Sequence, residues 1–284
     1  MSEIVSFNLS WATQKNVIAG SEWFFVLNCH KNFGKELKES GLSACTEKGA
    51  EGILKNTNFD IMGAQECLVD LSPKIVDYLN TNRSRGKGGK GGKSDIYDYI
   101  LTSYKKSSIM TVYKKNLAHK KPIIMKKGNL GGVNDMRPFH VIYFPKIKLL
   151  FANGHFPHNL SISDYDDFFK KMFIFDIGSR KVDRIIFTGD FNDNLGYLAK
   201  RGFINIELTN GQKFKLTCNN LKNVQTCCFV FFNFTGDYVW DSEETNKLNI
   251  VPNFVNSFKN VVKNKNKFIG SDHLPVVSKS KKKL

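Results

Sequence analysis

The chain has 284 residues and a mass of 32.3 kDa, which fits one large domain or two small ones. Hydrophobic residues make up 41% of it, enough for a core, so a disordered chain is excluded. The 42 Lys and Arg against 26 Asp and Glu give a net charge of +16. This excess indicates a polyanionic partner, namely nucleic acid, an acidic membrane surface or a phosphorylated substrate; solubility alone is the other interpretation.

The N-terminus has no basic head followed by a long apolar run, so no signal peptide is expected and the prediction is an intracellular protein, with nucleus or cytoplasm left open. No apolar run approaches the roughly 20 residues of a membrane-spanning helix. The six cysteines form no CxxC pair of the zinc-binding type and are expected to be reduced thiols, mostly in the core. They are Cys29, Cys45, Cys67, Cys218, Cys227 and Cys228.

In chain order, short runs of β-branched and aromatic residues alternate with segments of helical spacing. The spacing predicts helices at 44–56, with Thr46 as its cap, at 71–80 and at 161–179. Together these elements predict an α+β fold with mixed sheets, in one domain covering residues 1–278. The predicted strands are 3–11, 58–66, 97–103, 107–115, 139–145, 148–156, 183–191, 225–232 and 237–242.

Two segments differ from the rest in composition. Residues 82–94 are rich in Gly and Lys and predict a flexible basic loop, suited to a phosphate backbone or else a solvated insertion. Residues 279–284 form a short basic tail. The GGKS sequence in the loop resembles the end of a P-loop, but Lys87 stands where that motif needs glycine, so nucleotide hydrolysis is excluded.

Polar side chains stand at the ends of many of the predicted strands. Each one alone has an ordinary explanation as a turn former or a helix cap. As a set they suit phosphate-ester hydrolysis, because this chemistry needs oxygen ligands for a hard cation, a group that holds water and proton donors for phosphoryl oxygens. The set is Asn8, Glu66, His155, His158, Asp190, Asn192, Asp237, Ser271, Asp272 and His273.

The motifs FNLSW, GAQE, HFPH, GDFND, GDYVW and SDHLP follow one another in that order. In this order they resemble the endonuclease/exonuclease/phosphatase superfamily, from about residue 4 to about residue 277. The resemblance implies a four-layer α/β/β/α sandwich of two mixed β-sheets packed face to face. It also implies that the strand-end loops gather at one edge around a metal ion.

For the metal, the resemblance implies Mg²⁺, with Mn²⁺ as a possible substitute. Glu66 matches the principal ligand of the family, Asn8 the amide near the metal, and Asp272 a further carboxylate.

For the chemistry, Asp190 resembles the residue that positions or deprotonates the attacking water, and Asn192 its partner. His273 resembles the imidazole that contacts the scissile phosphate, with Asp237 orienting it. His155 stands where deoxyribonuclease-like members carry a histidine near the leaving oxygen.

Arg137 resembles a phosphate-contacting arginine, with a surface arginine as the alternative, and His158 is similarly placed for phosphate. Asp193 has no role in the pattern and is expected to be a turn or cap. Ser10 departs from abasic endonucleases, which carry an acid there, and Tyr238 stands where deoxyribonuclease I carries arginine. The subfamily therefore stays open.

The charge decides the expected substrate. The +16 excess and a Gly/Lys arm with Lys87, Lys90 and Lys93 as candidate contacts favour DNA, with RNA as an alternative. We expect a magnesium-dependent DNA phosphodiesterase, most simply a monomeric endonuclease of the deoxyribonuclease or repair type. The alternatives are a phosphatase or phospholipase of the same superfamily, and a nucleic-acid-binding module without activity.

Overall fold

The computed structural model describes residues 2–18, 23–85, 96–104, 107–131, 135–218, 236–243, 248–251, 273–280 and 282–284. Within these residues thirteen strands form two sheets, and six α-helices accompany them. The helices are α1 (Trp11–Lys15), α2 (Trp23–Phe33), α3 (Ala44–Asn56), α4 (Ser72–Arg85), α5 (Ile162–Phe173) and α6 (Tyr197–Arg201). No helix in the described ranges is both long and apolar enough to cross a membrane.

The first sheet has six strands in the order β12-β13-β1-β2-β4-β3. In chain order they are β1 (Ser2–Asn8), β2 (Ile61–Gln65), β3 (Tyr97–Tyr104), β4 (Ser107–Lys114), β12 (Asn249–Ile250) and β13 (Val276–Ser280). The second sheet has seven strands in the order β5-β6-β7-β8-β11-β10-β9. They are β5 (Ile123–Leu130), β6 (Arg137–Phe144), β7 (Leu149–His155), β8 (Arg184–Asp190), β9 (Phe203–Glu207), β10 (Lys213–Thr217) and β11 (Asp237–Asp241).

The two sheets pack face to face between helices, which confirms the predicted four-layer sandwich. Side chains alternate along β1: Ile4 joins the apolar cluster between the sheets, and Val5 and Phe7 join the cluster that holds residues of α3 and α4. Phe169 and Phe173 of α5 pack against the second sheet from its outer side. Each sheet therefore has both faces covered.

Each sheet contains one parallel pair of strands, and these pairs fix where the chain can build a site. β1 pairs in parallel with β2, so that Asn8 lies opposite Gln65. β7 pairs in parallel with β8, so that His155 lies opposite Asp190. The carboxyl ends of all four strands therefore meet at the same edge of the sandwich, where α/β proteins place their ligands.

A buried polar link joins the sheets just below that edge. Gln65 Nε2 donates to Asn153 Oδ1 at 2.7 Å, and Asn153 Nδ2 donates to the carbonyls of Ala64 and Met110. The backbones approach closely here, because a Cβ on Gly63 would stand 2.0 Å from Thr188 Oγ1. Only glycine fits at this position.

Several details differ from the sequence prediction. Ser43, and not Thr46, caps α3, because its hydroxyl accepts the Thr46 N–H. α5 ends at Phe173 because Ile174 is extended, well before residue 179. α4 runs through Arg85 into the predicted loop 82–94, and the predicted tail 279–284 begins inside β13. The predicted strand 225–232 lies outside the described residues.

The cysteines need a correction. Cys29 and Cys45 form a disulfide between α2 and α3, although the sequence predicted reduced thiols. The reason is tertiary, since no local pattern shows that these helices pack side by side. Cys67 and Cys218 are free and buried, as expected for core residues. Cys227 and Cys228 lie outside the described residues.

A buried ion pair ties β8 to β11 at the end of the strands remote from this edge. Arg184 Nε donates to Asp241 Oδ1 at 2.9 Å and Arg184 Nη2 donates to Oδ2, with both side chains at most 4% exposed. Burial raises the pKa of Asp241, and the Arg184 guanidinium opposes this shift. Each charge is therefore held in the core by the other.

We expect Asp241→Asn to lower the free energy of unfolding by about 3–5 kcal/mol, because it leaves the Arg184 charge buried and unpaired. Urea unfolding followed by circular dichroism measures this. The matched control is Glu207→Gln, which breaks the exposed pair with Lys213 at 3.6 Å and is expected to cost less than about 1 kcal/mol. Equal costs for the two variants would contradict the proposed importance of the buried pair.

Candidate active site

The strand ends bring together most of the polar residues that the sequence singled out. β1 ends at Asn8, β7 at His155 and β8 at Asp190, while antiparallel β11 starts at Asp237, directly opposite Asp190. Glu66 follows β2, and His273 comes shortly before β13, whose register runs antiparallel to β1. These side chains therefore converge at one edge from both sheets.

Asp190 lies at the centre of the cluster and is 1% exposed. Its Oδ2 accepts a hydrogen bond from Asn8 Nδ2 at 3.0 Å, and its Oδ1 accepts the Asn192 N–H at 3.0 Å. Burial raises the pKa of Asp190, and the neighbouring Asp237 raises it further, while His273 and the two hydrogen bonds oppose the shift. A carboxylate with a raised pKa accepts a proton more readily, which suits a general base.

Asn192 is held in the left-handed region, with φ of 48°. Its Nδ2 donates to the carbonyl of Phe156 at 2.7 Å, and its buried Oδ1 has no hydrogen-bond partner among the described residues. A buried acceptor without a partner is costly unless a ligand or water completes it. The Asn192 amide is therefore placed to accept a hydrogen bond from a water next to Asp190.

His273 and Asp237 form a buried pair. His273 Nδ1 and Asp237 Oδ2 are 2.9 Å apart, and His273 Nε2 lies 3.7 Å from Asp190 Oδ2. The Asp237 carboxylate thus fixes the orientation of the ring, and His273 Nε2 also lies 3.4 Å from Asn8 Nδ2. Among the described residues, Asp190, Asp237 and His273 also offer ligand atoms within 4.8 Å of one another, a group that could hold a metal ion.

Glu66 adopts the left-handed φ of 55° at the end of β2. Its Oε2 accepts the Trp11 N–H at 3.3 Å, and its Oε1 lies 3.8 Å from His155 Nε2 and 4.0 Å from Arg137 Nη1. The side chain is 16% exposed, so one side of the carboxylate reaches solvent. Left-handed backbone in a residue other than glycine is strained, and such strain is concentrated at functional sites.

His155 lies between the two carboxylates and is 1% exposed. Its Nε2 is 3.5 Å from Asp190 Oδ2 and 3.8 Å from Glu66 Oε1. Burial lowers the pKa of His155 well below its usual value, and the charge of Arg137 lowers it further. The ring is therefore neutral, and it connects Glu66 with Asp190. Its predicted role at the leaving oxygen stays a prediction.

Arg137 lies at the rim of the site, that is, at its border with solvent, and its Nη1 is 3.5 Å from His155 Nδ1. Asp135 anchors it, because Arg137 Nε donates to Asp135 Oδ1 at 2.7 Å. His158 is exposed nearby, and its backbone N–H donates to Asp135 Oδ2 at 3.4 Å. Their contacts with a substrate phosphate stay a prediction.

Asp193 belongs to the support of the site and not to its reactive groups. Its carboxylate accepts the N–H groups of Tyr197, Leu198 and Ala199 and the hydroxyl of Tyr238 at 2.9 Å. It thus caps α6 and anchors the loop that carries Asp190 and Asn192. Five residues singled out from the sequence, Ser271, Asp272, Lys87, Lys90 and Lys93, lie outside the described residues.

Some residues of the site were not identified from the sequence. Gln65 and Asn153 link the sheets directly behind Glu66 and His155, and Asp135 holds Arg137. The signal for the first two was present, since Gln65 belongs to GAQE and Asn153 precedes His155 in NGH. Asp135 offered no such signal, because a single acid in a turn is common.

The donor set fits a hard divalent cation. Glu66 and Asp190 offer carboxylate oxygens on either side of His155. Asn8 donates to Asp190 through its amide nitrogen, while its Oδ1 accepts the Ser10 N–H. Magnesium prefers oxygen ligands and keeps several waters, so a partly exposed carboxylate such as Glu66 suits it better than an all-protein cage.

No sequence-family model matches the chain, and no curated protein matches it in sequence. Solved structures do match it over nearly its full length. An endonuclease/exonuclease/phosphatase family protein from Bacteroides thetaiotaomicron shares 19% identity, covers 98% of this chain and 93% of its own, and has a TM-score of 0.56. The mannosyl-6-phosphatase of the same species shares 18% identity, with 98% and 99% covered and a TM-score of 0.57.

A third similar structure is ANGEL2, a 2′,3′-cyclic phosphatase, with 15% identity, 98% of this chain and 94% of its own covered, and a TM-score of 0.53. The chain therefore has the fold of the endonuclease/exonuclease/phosphatase family. This confirms the resemblance at the level of the fold.

We expect Asp193→Ala to lower the free energy of unfolding by about 2 kcal/mol or more, because it removes the α6 cap and leaves the buried Tyr238 hydroxyl without its acceptor. Denaturant unfolding measures the change. Ser161→Ala is the matched control, since Ser161 caps α5 at an exposed position and its loss is expected to cost about 1 kcal/mol. A loss no larger than that of the control would show that Asp193 does not support the loop.

Proposed function

We propose that the protein is a metal-dependent hydrolase of phosphodiester bonds in DNA, acting most simply as an endonuclease. The observation that carries the proposal is the convergence of Glu66, Asp190 and His273 at one edge, from separate parts of the chain. The fold shared with known phosphoesterases supports it.

Asp190 and Asn192 are the groups suited to handle the attacking water. In its ionised form, Asp190 accepts a proton from the water while the water oxygen attacks phosphorus. Asn192 Oδ1 accepts a hydrogen bond from the other hydrogen of that water. The Asn8 amide and the Asn192 N–H hold the Asp190 carboxylate in position. This arrangement aligns the water and reduces the entropic part of the barrier.

His273 and Arg137 are the groups suited to the phosphoryl oxygens. In this mechanism the Nε2–H of His273 donates to an oxygen that gains charge during the attack, while the buried Asp237 carboxylate holds the ring through Nδ1. Arg137 supplies a fixed positive charge at the rim, held by Asp135. Both groups stabilise the transition state more than the ground state, because the phosphoryl oxygens carry more negative charge in the transition state.

Glu66 is the residue best placed to hold a magnesium ion, with Asn8 and Asp272 as the further metal-site residues that the sequence suggests. When bound, the ion supplies positive charge to the phosphate and the leaving oxygen. The neutral His155 keeps Glu66 and Asp190 apart and oriented.

The preference for DNA rests on charge. A net charge of +16 favours a polyanion over a small phosphate ester, because each cation near a backbone phosphate releases a counterion. A second candidate is a phosphatase acting on a small phosphate ester. It is favoured by two of the similar structures, which are a mannosyl-6-phosphatase and a 2′,3′-cyclic phosphatase.

We expect Asp190→Asn to lower kcat at least about a hundredfold with little change in DNA binding, because the amide cannot accept the proton of the water. Turnover of plasmid DNA, in native and in heat-denatured form, is measured with magnesium and with a chelator, and binding by fluorescence anisotropy. Asp183→Asn is the control, since Asp183 is an exposed acid just before the other end of β8. Full activity in Asp190→Asn, or wild-type turnover of sugar phosphates but not of DNA, would contradict the proposal.

We expect replacement of Lys87, Lys90 and Lys93 by Gln to flatten the salt dependence of DNA binding. Each lost phosphate contact lowers the log–log slope by about 0.9 for duplex DNA. Binding is titrated against a series of salt concentrations, with Lys181→Gln as a control for an exposed lysine next to Asp183. An unchanged slope would make the segment a passive insertion.

A further inference from the structure

Trp11 is exposed directly beside the candidate active site. Its indole side chain belongs to a residue that is 38% exposed, although tryptophan is normally among the more buried types. Its backbone N–H donates to Glu66 Oε2 at 3.3 Å. The ring therefore lies within one side-chain length of the carboxylate that faces the substrate phosphate.

The turn that places Trp11 at this position has a strained backbone. Ser10, which precedes Trp11, adopts a left-handed φ of 56°, and its hydroxyl caps α1 by accepting the Thr13 N–H. The Asn8 side chain accepts the Ser10 N–H, so the same turn also orients the amide that contacts Asp190. The strained turn therefore places Trp11 at the rim of the candidate active site and Asn8 at its buried centre.

A cation accompanies the ring. Lys15 lies one turn further along α1, on the same face, with its Nζ 5.6 Å from the centre of the Trp11 ring. Lys15 is exposed, and no acidic side chain pairs with it within the described residues. An indole face next to a free ammonium is a combination that binds a base and its adjoining phosphate in single strands.

We propose that Trp11 and Lys15 bind an unpaired nucleotide next to the phosphate that is hydrolysed, so that the substrate is single-stranded nucleic acid. This inference rests on the proposed function and names its substrate. The base stacks on the Trp11 ring on the side away from Lys15, and Lys15 contacts the neighbouring phosphate. Stacking needs a base that has left the duplex, because inside a duplex both faces of a base are covered by the neighbouring base pairs.

A sugar phosphate or a DNA duplex would contact Trp11 and Lys15 differently. A sugar phosphate can also pack on the indole, but it has only one phosphate, so Lys15 would have no second anion to contact. A base read in a duplex would be approached at its edge in a groove and not at its face. Any base can stack, so the proposal expects little dependence on sequence.

The first test measures binding without turnover, in chelator. Trp23→Phe leaves Trp11 and Trp240 as the tryptophans of the chain, and Trp240 is fully buried. In this background we expect oligothymidylate to quench the fluorescence of Trp11. A strand of equal length and charge built of abasic units should bind about tenfold more weakly and cause little quenching. Equal quenching by both strands would overturn the proposal.

The second test is the variant. Trp11→Ala is expected to weaken binding of oligothymidylate at least about tenfold and to leave the abasic strand unchanged, while Trp11→Phe keeps most of the affinity. Lys15→Gln should weaken both strands and lower the log–log salt slope by about 0.7. Trp23→Ala is the matched control, since Trp23 is also exposed but begins α2. Equal effects of Trp11→Ala on both strands would overturn the stacking role.

Hydrolysis in magnesium separates the two proposals. Faster cleavage of a single strand than of a hairpin of the same sequence, lost in Trp11→Ala, supports the role of Trp11. Cleavage of DNA with no Trp11-dependent difference between these substrates would overturn that role alone. Trp11-dependent stacking in a protein that hydrolyses no DNA would refute the proposed function and leave the nucleotide-binding rim intact.

Discussion

The site depends on one constraint, which is that the Asp190 carboxylate is buried at the end of β8 and must be satisfied there. A buried carboxylate is costly unless it is hydrogen-bonded and paired. The chain meets this demand from three directions, with the Asn8 amide, the Asn192 N–H and two histidines. The same neighbours raise or lower the pKa of Asp190. One set of contacts therefore determines both the stability and the chemistry of this edge of the sandwich.

The two sheets supply these contacts because they are locked together just behind the site. Gln65 and Asn153 bridge them, and Gly63 lets the backbones approach. Glu66 follows Gln65 directly, and His155 lies two positions after Asn153. A shift of one sheet against the other would therefore separate Glu66 from His155, and polar groups in this layer would lose their partners.

Backbone strain occurs at turns that follow three of the strands and orient side chains of the site. Ser10, Glu66 and Asn192 follow three different strands, and all three have positive φ, between 48° and 56°. Residues other than glycine rarely adopt this conformation, so three at one edge indicate a common purpose. The turns at Ser10 and Asn192 are anchored by the side chains of Asn8 and Asp190 and so by the site itself.

The sequence by itself determined an α+β fold with mixed sheets and the residue types that end the strands, because strand runs and polar ends are local patterns, while the four layers followed from the family resemblance. Hence Asn8, Glu66, His155, Asp190, Asp237 and His273 can be identified from the order of residues alone. Only the tertiary structure decided what each one touches. Asn8 and His273 are 265 positions apart, and no local pattern encodes their contact. The Cys29–Cys45 bond, the capping by Asp193 and the exposed Trp11 beside Glu66 likewise come from the packing of distant segments, since burial and pairing are properties of the folded chain.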